Sequence, residues 1–347
     1  MPRCLQLSGG ELRNMRYELL LILSALATIA AVNTATGAGI ALAWPRLERA
    51  FAGLESRSRA RALLALRLVP AFAAALMCIL TVVAYLRHEP VSTTEVPGWM
   101  LIAGASFGAS LAAAALGRVI VRCWKTRCFL EAVERNATPV TLPGVHLPAA
   151  QVETAFPLIA LAGIWRSRLL VARGVLAEMP AEELEVVLQH ELAHARHRDN
   201  IARLVLAALP DVLSVAERWL GIERAWREAA EDAADDCATG DDARARVCLA
   251  SALVRVSRMI GEQAPLPVPL LAFHDGESID RRVRRLVDER RPVKGCATVP
   301  VEPPSAAYRS SRSLAALIPI AAVIVLLLKL DHILLSVHEV IEWFVHA

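Results

Sequence analysis

Between Glu18 and Arg46 the chain carries no charged side chain, and this stretch limits the possible folds more than any other. Its run LLLILSALATIAAVNTATGAGIALAW is long enough to cross a hydrocarbon core of about 30 Å with some tilt. A backbone in lipid must satisfy its own hydrogen bonds, so such a run has to be helical. Two more uncharged windows follow, Leu68 to Leu86 and Val96 to Gly117, and a fourth, Ser313 to Leu328, is extended by snorkelling Lys329 and by Leu330. The third window is rich in Gly, Ala and Ser (AGASFGASLAAAALG), residues that let membrane helices approach closely. Four spans are therefore predicted, at about 19–44, 68–86, 96–117 and 313–330.

Composition agrees with a membrane protein that has a charged soluble part. Hydrophobic residues make up 55% of the 347 and mean hydropathy is +0.43, yet 21% are charged, so charge is crowded outside the windows. That apolar content excludes disorder. Seven scattered cysteines do not make a disulfide framework. A net charge of +3 is too small to indicate nucleic acid. Small residues at Ala35 to Ala38 resemble a signal-peptide cleavage site, but the apolar run continues to Trp44, which favours an uncleaved anchor.

Orientation follows from arginine and lysine in the short loops. The first loop holds Arg46, Arg49, Arg57, Arg59 and Arg61, whereas the second holds only Arg87; Arg118, Arg122, Lys125 and Arg127 follow the third span. The amino terminus is thus expected outside and the region from about 122 to 312 in the cytoplasm, where free thiols are ordinary.

Within that region, IALAGIW and RLLVARGVL read as two short strands. Helices are expected at 180–198, at 201–220 with a break at Pro210, at 223–238, at 243–260 and at 279–290. Pro-rich stretches at 265–269 and 300–304 read as linkers.

The strongest chemical signal is HELAH, His190 to His194, inside the 180–198 helix. Histidines at i and i+4 share a helical face, which suits two ligands of a tetrahedral zinc ion. Glu191 then stands beside the metal, where it can take a proton from the attacking water and pass it to the leaving amine. The bland alternative is a chance surface pattern, but three ionisable residues in an otherwise apolar helix middle are costly without a purpose. A catalytic zinc needs a third protein ligand, and the acidic helix EAAEDAADD offers two pairs at the same spacing, Glu231 with Asp235 and Glu228 with Asp232. Spacing alone does not choose between them. His197 lies about 10 Å along the helix from His190, too far to share an ion, and suits a solvated or capping role. Asp199-Asn200 reads most simply as the cap of the next helix, and secondarily as support behind the metal ligands.

The run PAEELEVVLQHELAHARHRDN resembles the gluzincin-type membrane peptidases, whose helix carries HExxH and then an Asp-Asn pair. Their downstream ExxAD motif is similar to EDAAD, Glu231 to Asp235. The resemblance therefore implies zinc held by His190, His194 and Glu231, with Glu191 catalytic and Asp235 orienting a ligating histidine. The stretch IWRSRLLVARGVL, the late SIDRRVRRL and the three-plus-one layout look most like the beta-lactam sensor-transducer and antirepressor peptidase group, and less like the heat-shock-type and prenyl-protein-type proteases. Fewer than 20 residues follow Lys329, so the extracellular penicillin-binding domain of those sensors is not expected. The tail HILLSVHEVIEWFVHA is expected to lie along the membrane surface or to continue the last helix. By the same resemblance, Leu169–Arg173 is the edge strand that pairs with substrate; its residues read equally as an ordinary buried strand. The oxyanion-stabilising group is not visible; His274 and the arginines 281–285 are weak candidates.

The expectation is then a mainly α membrane protein: a membrane domain over 1–121, a cytoplasmic α+β zincin-like peptidase domain over 122–311, and a fourth span with a short tail over 312–347. It would be an inner-membrane zinc metalloendopeptidase with one zinc ion. Its partners would be the lipid bilayer and a protein substrate, a cytoplasmic repressor or the chain itself, without direct contact to nucleic acid. The alternatives are a membrane quality-control protease and a non-catalytic zinc-binding scaffold.

Overall fold

The computed structural model describes residues 9–90, 96–135, 137–154, 157–163, 167–261, 276–288 and 330–346. It opens with three long helices, α1 (Gly9–Ala52), α2 (Ser56–His88) and α3 (Trp99–Glu134), each long and apolar enough to cross a membrane. At 44, 33 and 36 residues they are about 66, 50 and 54 Å long, well beyond the hydrocarbon thickness, so each continues past its uncharged window. Lipid-facing positions are bare: Phe72 is 68% exposed and Ile79 60%. Small residues line the seam between α1 and α3. A Cβ on Gly108 would stand 2.3 Å from the carbonyl oxygen of Leu26, so only glycine permits that approach.

After α3 comes a four-stranded sheet: β1 (Thr138–Val140), β2 (Ala149–Val152), β3 (Ile159–Ala162) and β4 (Arg168–Ala172), in the order β1-β2-β4-β3. β2 and β4 are parallel, and the outer pairs are antiparallel. The two expected strands are β3 and β4. The assignment of Leu169–Arg173 as the substrate-pairing edge is corrected, because β4 bonds to β2 on one side and β3 on the other. Leu169, Leu170 and Val171 are fully buried, and a strand covered on both faces belongs in the middle of a sheet. The edge nearest α5 is β3.

Beyond β4, Arg173 starts α4 (Arg173–Glu178), and α5 (Ala181–His197) follows, with Glu182 and Glu183 in its first turn. α6 (Asp199–Ala208) and α7 (Leu213–Leu220) are the two halves of the stretch interrupted at Pro210, which has no amide hydrogen to continue a helix. Then come α8 (Ile222–Thr239), α9 (Ala243–Gly261) and α10 (Gly276–Val287). Leu169 to Ala172 of β4 form one core with Val187 and Leu188 of α5, Leu249 and Leu253 of α9, and Leu286 of α10; Phe129, Leu130 and Val133 of α3 pack against it. Glu183 fastens α5 to α9: it accepts from Ser251 Oγ at 2.7 Å and from Arg255 Nε at 2.8 Å.

A second core joins this domain to the membrane helices, with Ile40, Trp44 and Leu63 against Leu206, Leu213, Ile222 and Trp226. The α6–α7 turn sits deepest in it. Arg67 of α2 is fully buried, donates to Asp211 Oδ2 at 2.8 Å and to Ser214 Oγ at 3.1 Å. Asp211 Oδ1 in turn accepts from the Ser214 amide and hydroxyl, both at 2.8 Å. Asn33 of α1 donates to the Pro210 carbonyl at 3.0 Å, and Arg118 of α3 donates to the Leu209 carbonyl at 2.6 Å. Those carbonyls end α6 and lack helical partners, so residues from all three membrane helices satisfy the turn.

The last described element, α11 (Leu330–His346), packs at the opposite end of the bundle. Val337 lies against the cluster of Leu20, Tyr85 and Leu101. Beside this contact lies a cavity of about 950 Å³ lined by α1–α3 and α11, with Ser24, Thr28, Thr81 and Phe107 in its wall. The tail is thus a helix packed on the bundle. The expected fourth span, 313–330, falls outside the described residues except for Leu330, as does His274.

Candidate metal centre

The α5 helix presents His190 and His194 on one buried face, and their rings meet edge to face with centroids 4.8 Å apart. Their Nε2 atoms point at each other, 3.1 Å apart. The neighbouring helix α8 brings Glu231 beneath them: its carboxylate oxygens lie 3.5 Å from His190 Nε2 and 3.6 Å from His194 Nε2. One donor atom from each of the three residues falls within 4.8 Å of the other two. Glu228 joins no such group among the described residues, and Asp232 is taken up by Arg281, 2.7 Å away.

Both histidines are held from behind by carboxylates. His190 Nδ1 is 2.9 Å from Asp235 Oδ1, and His194 Nδ1 is 2.6 Å from Asp199 Oδ2. An ionised carboxylate only accepts, so each Nδ1 must carry the proton, which leaves both Nε2 lone pairs aimed into the same space. Two lone pairs 3.1 Å apart repel unless positive charge lies between or beside them.

Electrostatics point the same way. Burial opposes a charged His194, yet Glu231 and the bond to Asp199 push its pKa up to about 10. His190 is likewise raised against burial by Asp235 and Glu231. Glu231 is held well below the usual carboxylate range despite its burial, chiefly by the histidines. The surrounding carboxylates thus favour positive charge between the imidazoles, and a divalent ion binding there would displace any proton held on Nε2. The donor set of two nitrogens and one carboxylate suits zinc with a position left open. The residues present therefore fit the ion that the motif implies.

Glu191 lies beside these ligands rather than among them. Its Oε2 accepts from the Leu161 amide of β3 at 3.1 Å, while Oε1 is buried and has no hydrogen-bond partner among the described residues. Burial raises its pKa against the pull of His194 and His190. A carboxylate with one oxygen anchored, one oxygen free and a raised pKa is suited to accept a proton.

Two roles differ from the sequence expectation. Asp199 and Asn200 do not cap α6, because Arg198, in the left-handed region at φ 59°, occupies that position. Their side chains go to the site instead: Asp199 to His194, and Asn200 to the Leu161 and Gly163 carbonyls at 3.1 and 3.0 Å, fixing the β3 edge. Arg282 was expected only as a weak oxyanion candidate. It is 1% exposed, donates through Nε and NH2 to both oxygens of Asp235 at 2.9 and 2.5 Å, and lies 3.1 Å from Glu231 Oε2. It positions both carboxylates. Arg203 also reaches Glu231, at 3.4 Å and with its side chain 21% exposed, and nothing in the local sequence pattern marked it. Tyr17 and Tyr85 meet in the membrane bundle with tilted rings, their centroids 4.9 Å apart.

Comparison with known proteins falls on this part of the chain. Residues 131–261 match the family model for Peptidase family M48. A curated relative, Protease HtpX homolog of Methanocaldococcus jannaschii, is 28% identical over 88 residues, which are 25% of this chain and 31% of the relative. The chain thus spans about a third of the length of the curated relative it matches. No solved structure matches. The segment that supplies β3, HELAH and the acidic helix is therefore similar to the M48 metallopeptidases, on a chain with three helices of membrane-crossing length among its described residues.

Proposed function

We propose that the protein is an integral membrane zinc metalloendopeptidase whose active site faces the cytoplasm. The observation that carries this reading is the convergence of His190, His194 and Glu231 beside a buried, half-anchored Glu191. Zinc held by those three residues would act as a Lewis acid toward water and the scissile carbonyl. Glu191 takes the proton from the attacking water on Oε1 and returns it to the leaving amine. Asp235 and Asp199 keep the imidazoles in the Nδ1–H tautomer, and Arg282 holds Asp235 and Glu231 in register. An extended substrate would pair with the outer edge of β3, where Ile159 faces away from β4 in the strand alternation.

A cytoplasmic site is supported by the arginine-rich first loop and post-span segment on the peptidase side of the bundle. On this reading the amino terminus lies outside an inner membrane. The three-span layout ahead of the peptidase segment supports a signalling role, cutting a cytoplasmic repressor or the chain itself. The likeness to the HtpX homolog supports a second reading, quality control of membrane proteins.

The test uses the full chain and Glu191→Gln in detergent, with bound zinc and cleavage of an unfolded model protein both measured. Equal zinc in the two proteins, at least one ion per chain, and cleavage by the parent alone are expected. Equal cleavage by both removes the catalytic assignment, and zinc-free parent protein removes the ligand assignment.

A further inference from the structure

We propose that His88, Glu89, His338 and Glu342 form a second divalent-cation site, at the end of the membrane bundle remote from HELAH, with zinc as its ion. α2 ends at His88, and Glu89 is its C-terminal cap, its amide bonded to the Tyr85 carbonyl and its side chain largely buried. On α11, His338 and Glu342 stand four residues apart on one face, with Nε2 and Oε1 3.7 Å apart. One donor from each of Glu89, His338 and Glu342 lies within 4.8 Å of the other two. The His88 ring is 5.6 Å from that of His338. His88 Nε2 and His338 Nδ1 are buried atoms without a hydrogen-bond partner among the described residues.

These facts fit a ligand set better than a solvated ion pair. Buried imidazole nitrogens are ordinarily bonded, and here two lack partners beside two carboxylates. Ligand bonds of about 2.0 Å place tetrahedral ligand atoms about 3.3 Å apart, so the donors of Glu89, His338 and Glu342 need shifts of order 1 Å, while His88, outside that close group, completes the set by a larger rotation of its ring. Imidazole with carboxylate favours zinc over magnesium or calcium, which prefer oxygen alone. Bound there, the ion would tie α11, which follows the peptidase segment in the chain, to the end of α2. The site shares no residue with the catalytic cluster, so it stands or falls independently of the peptidase reading.

The test removes the first site and looks for the second. Full-length chain carrying His190→Ala and His194→Ala is equilibrated with zinc chloride in detergent and its bound metal measured. One zinc per chain is expected, raising the thermal midpoint. Adding His88→Phe and His338→Phe, which keep the ring packing but remove the nitrogens, should abolish both the bound zinc and the shift. Glu342→Gln is a gentler second variant, expected to weaken zinc binding at least about tenfold, since even partners behind a ligand are worth that much. No zinc on the HELAH-less chain overturns the proposal. Zinc that survives all of these changes overturns it equally. A parent that binds one zinc, lost with His190→Ala and His194→Ala, removes this site while leaving the catalytic one in place.

Discussion

Arg67 and Arg282 are both buried guanidinium groups held by aspartate, but their surroundings are completed in different ways. Around Arg67, both oxygens of Asp211 and the hydroxyl of Ser214 are engaged with one another or with the arginine. That unit joins a membrane helix to the α6–α7 turn with both Asp211 oxygens in use, and leaves only Arg67 Nε without a partner among the described residues. Around Arg282, the two carboxylates it holds support imidazoles whose Nε2 atoms face each other at 3.1 Å, and Glu191 Oε1 has no partner among the described residues. The same residue types thus make a fastening in one place and a cation socket in the other. What separates them is the acceptors: those of Asp211 are all used within the unit, whereas the two imidazole Nε2 atoms and Glu191 Oε1 face one shared space.

The comparison can be broken most sharply at Glu191. Glu191→Gln should lower turnover about 10²–10⁴-fold with zinc content unchanged, as read by single-turnover cleavage and metal analysis. The fastening comes next: Arg67→Met leaves Asp211 charged and buried, which should cost about 3–5 kcal/mol, seen as a large fall in thermal midpoint in detergent. Adding Asp211→Leu should restore much of that loss, and zinc should restore none. In the socket, Arg282→Gln should weaken zinc binding about 10–100-fold in competition with a chelator. Here saturating zinc should recover most of any lost stability, because the ion supplies the missing positive charge. If zinc rescues Arg67→Met and not Arg282→Gln, the two units have been assigned the wrong way round.

The smallest effect concerns Glu183, whose carboxyl is held below its usual range mainly by the bond from Arg255, against burial and with help from Ser251. A depressed folded-state pKa contributes stability that is present above the ordinary carboxylate range and is lost as pH falls through the folded value. Glu183→Gln should therefore cost about 1 kcal/mol near neutral pH, and the difference from the parent should fade on acidification below pH 4.

HELAH was readable because its spacing is local: two histidines at i and i+4 share a face wherever the helix forms. The uncharged windows were readable for a similar reason, but they mark only the lipid-crossing part of each helix. The continuation of α3 to Glu134 rests on Phe129, Leu130 and Val133 packing on the sheet, which no hydropathy window detects. β1 and β2, three and four residues long, are too short to show a period. The central place of β4 depends on pairing with β2, and a continuous apolar run does not say which strands flank it. Arg282 meets Asp235 across 47 residues of sequence, and a charged run reads as solvated until the fold brings its partner. Glu231 was separable from Glu228 only through a resemblance, since the two spacings are equal.

α3 runs without a break from Trp99, at the α11 end of the bundle, to Glu134, which is ion-paired with Arg168 at the start of β4. It is therefore a stiff lever some 54 Å long whose far arm bears on the sheet that anchors Glu191. Pivoting it by 5° about its first turn would sweep the other end through about 5 Å, roughly the spacing between neighbouring strands. The close approach at Gly108 and the Arg118 bond to Leu209 lie along that arm, so they hold the sheet in place against tilting of the helix.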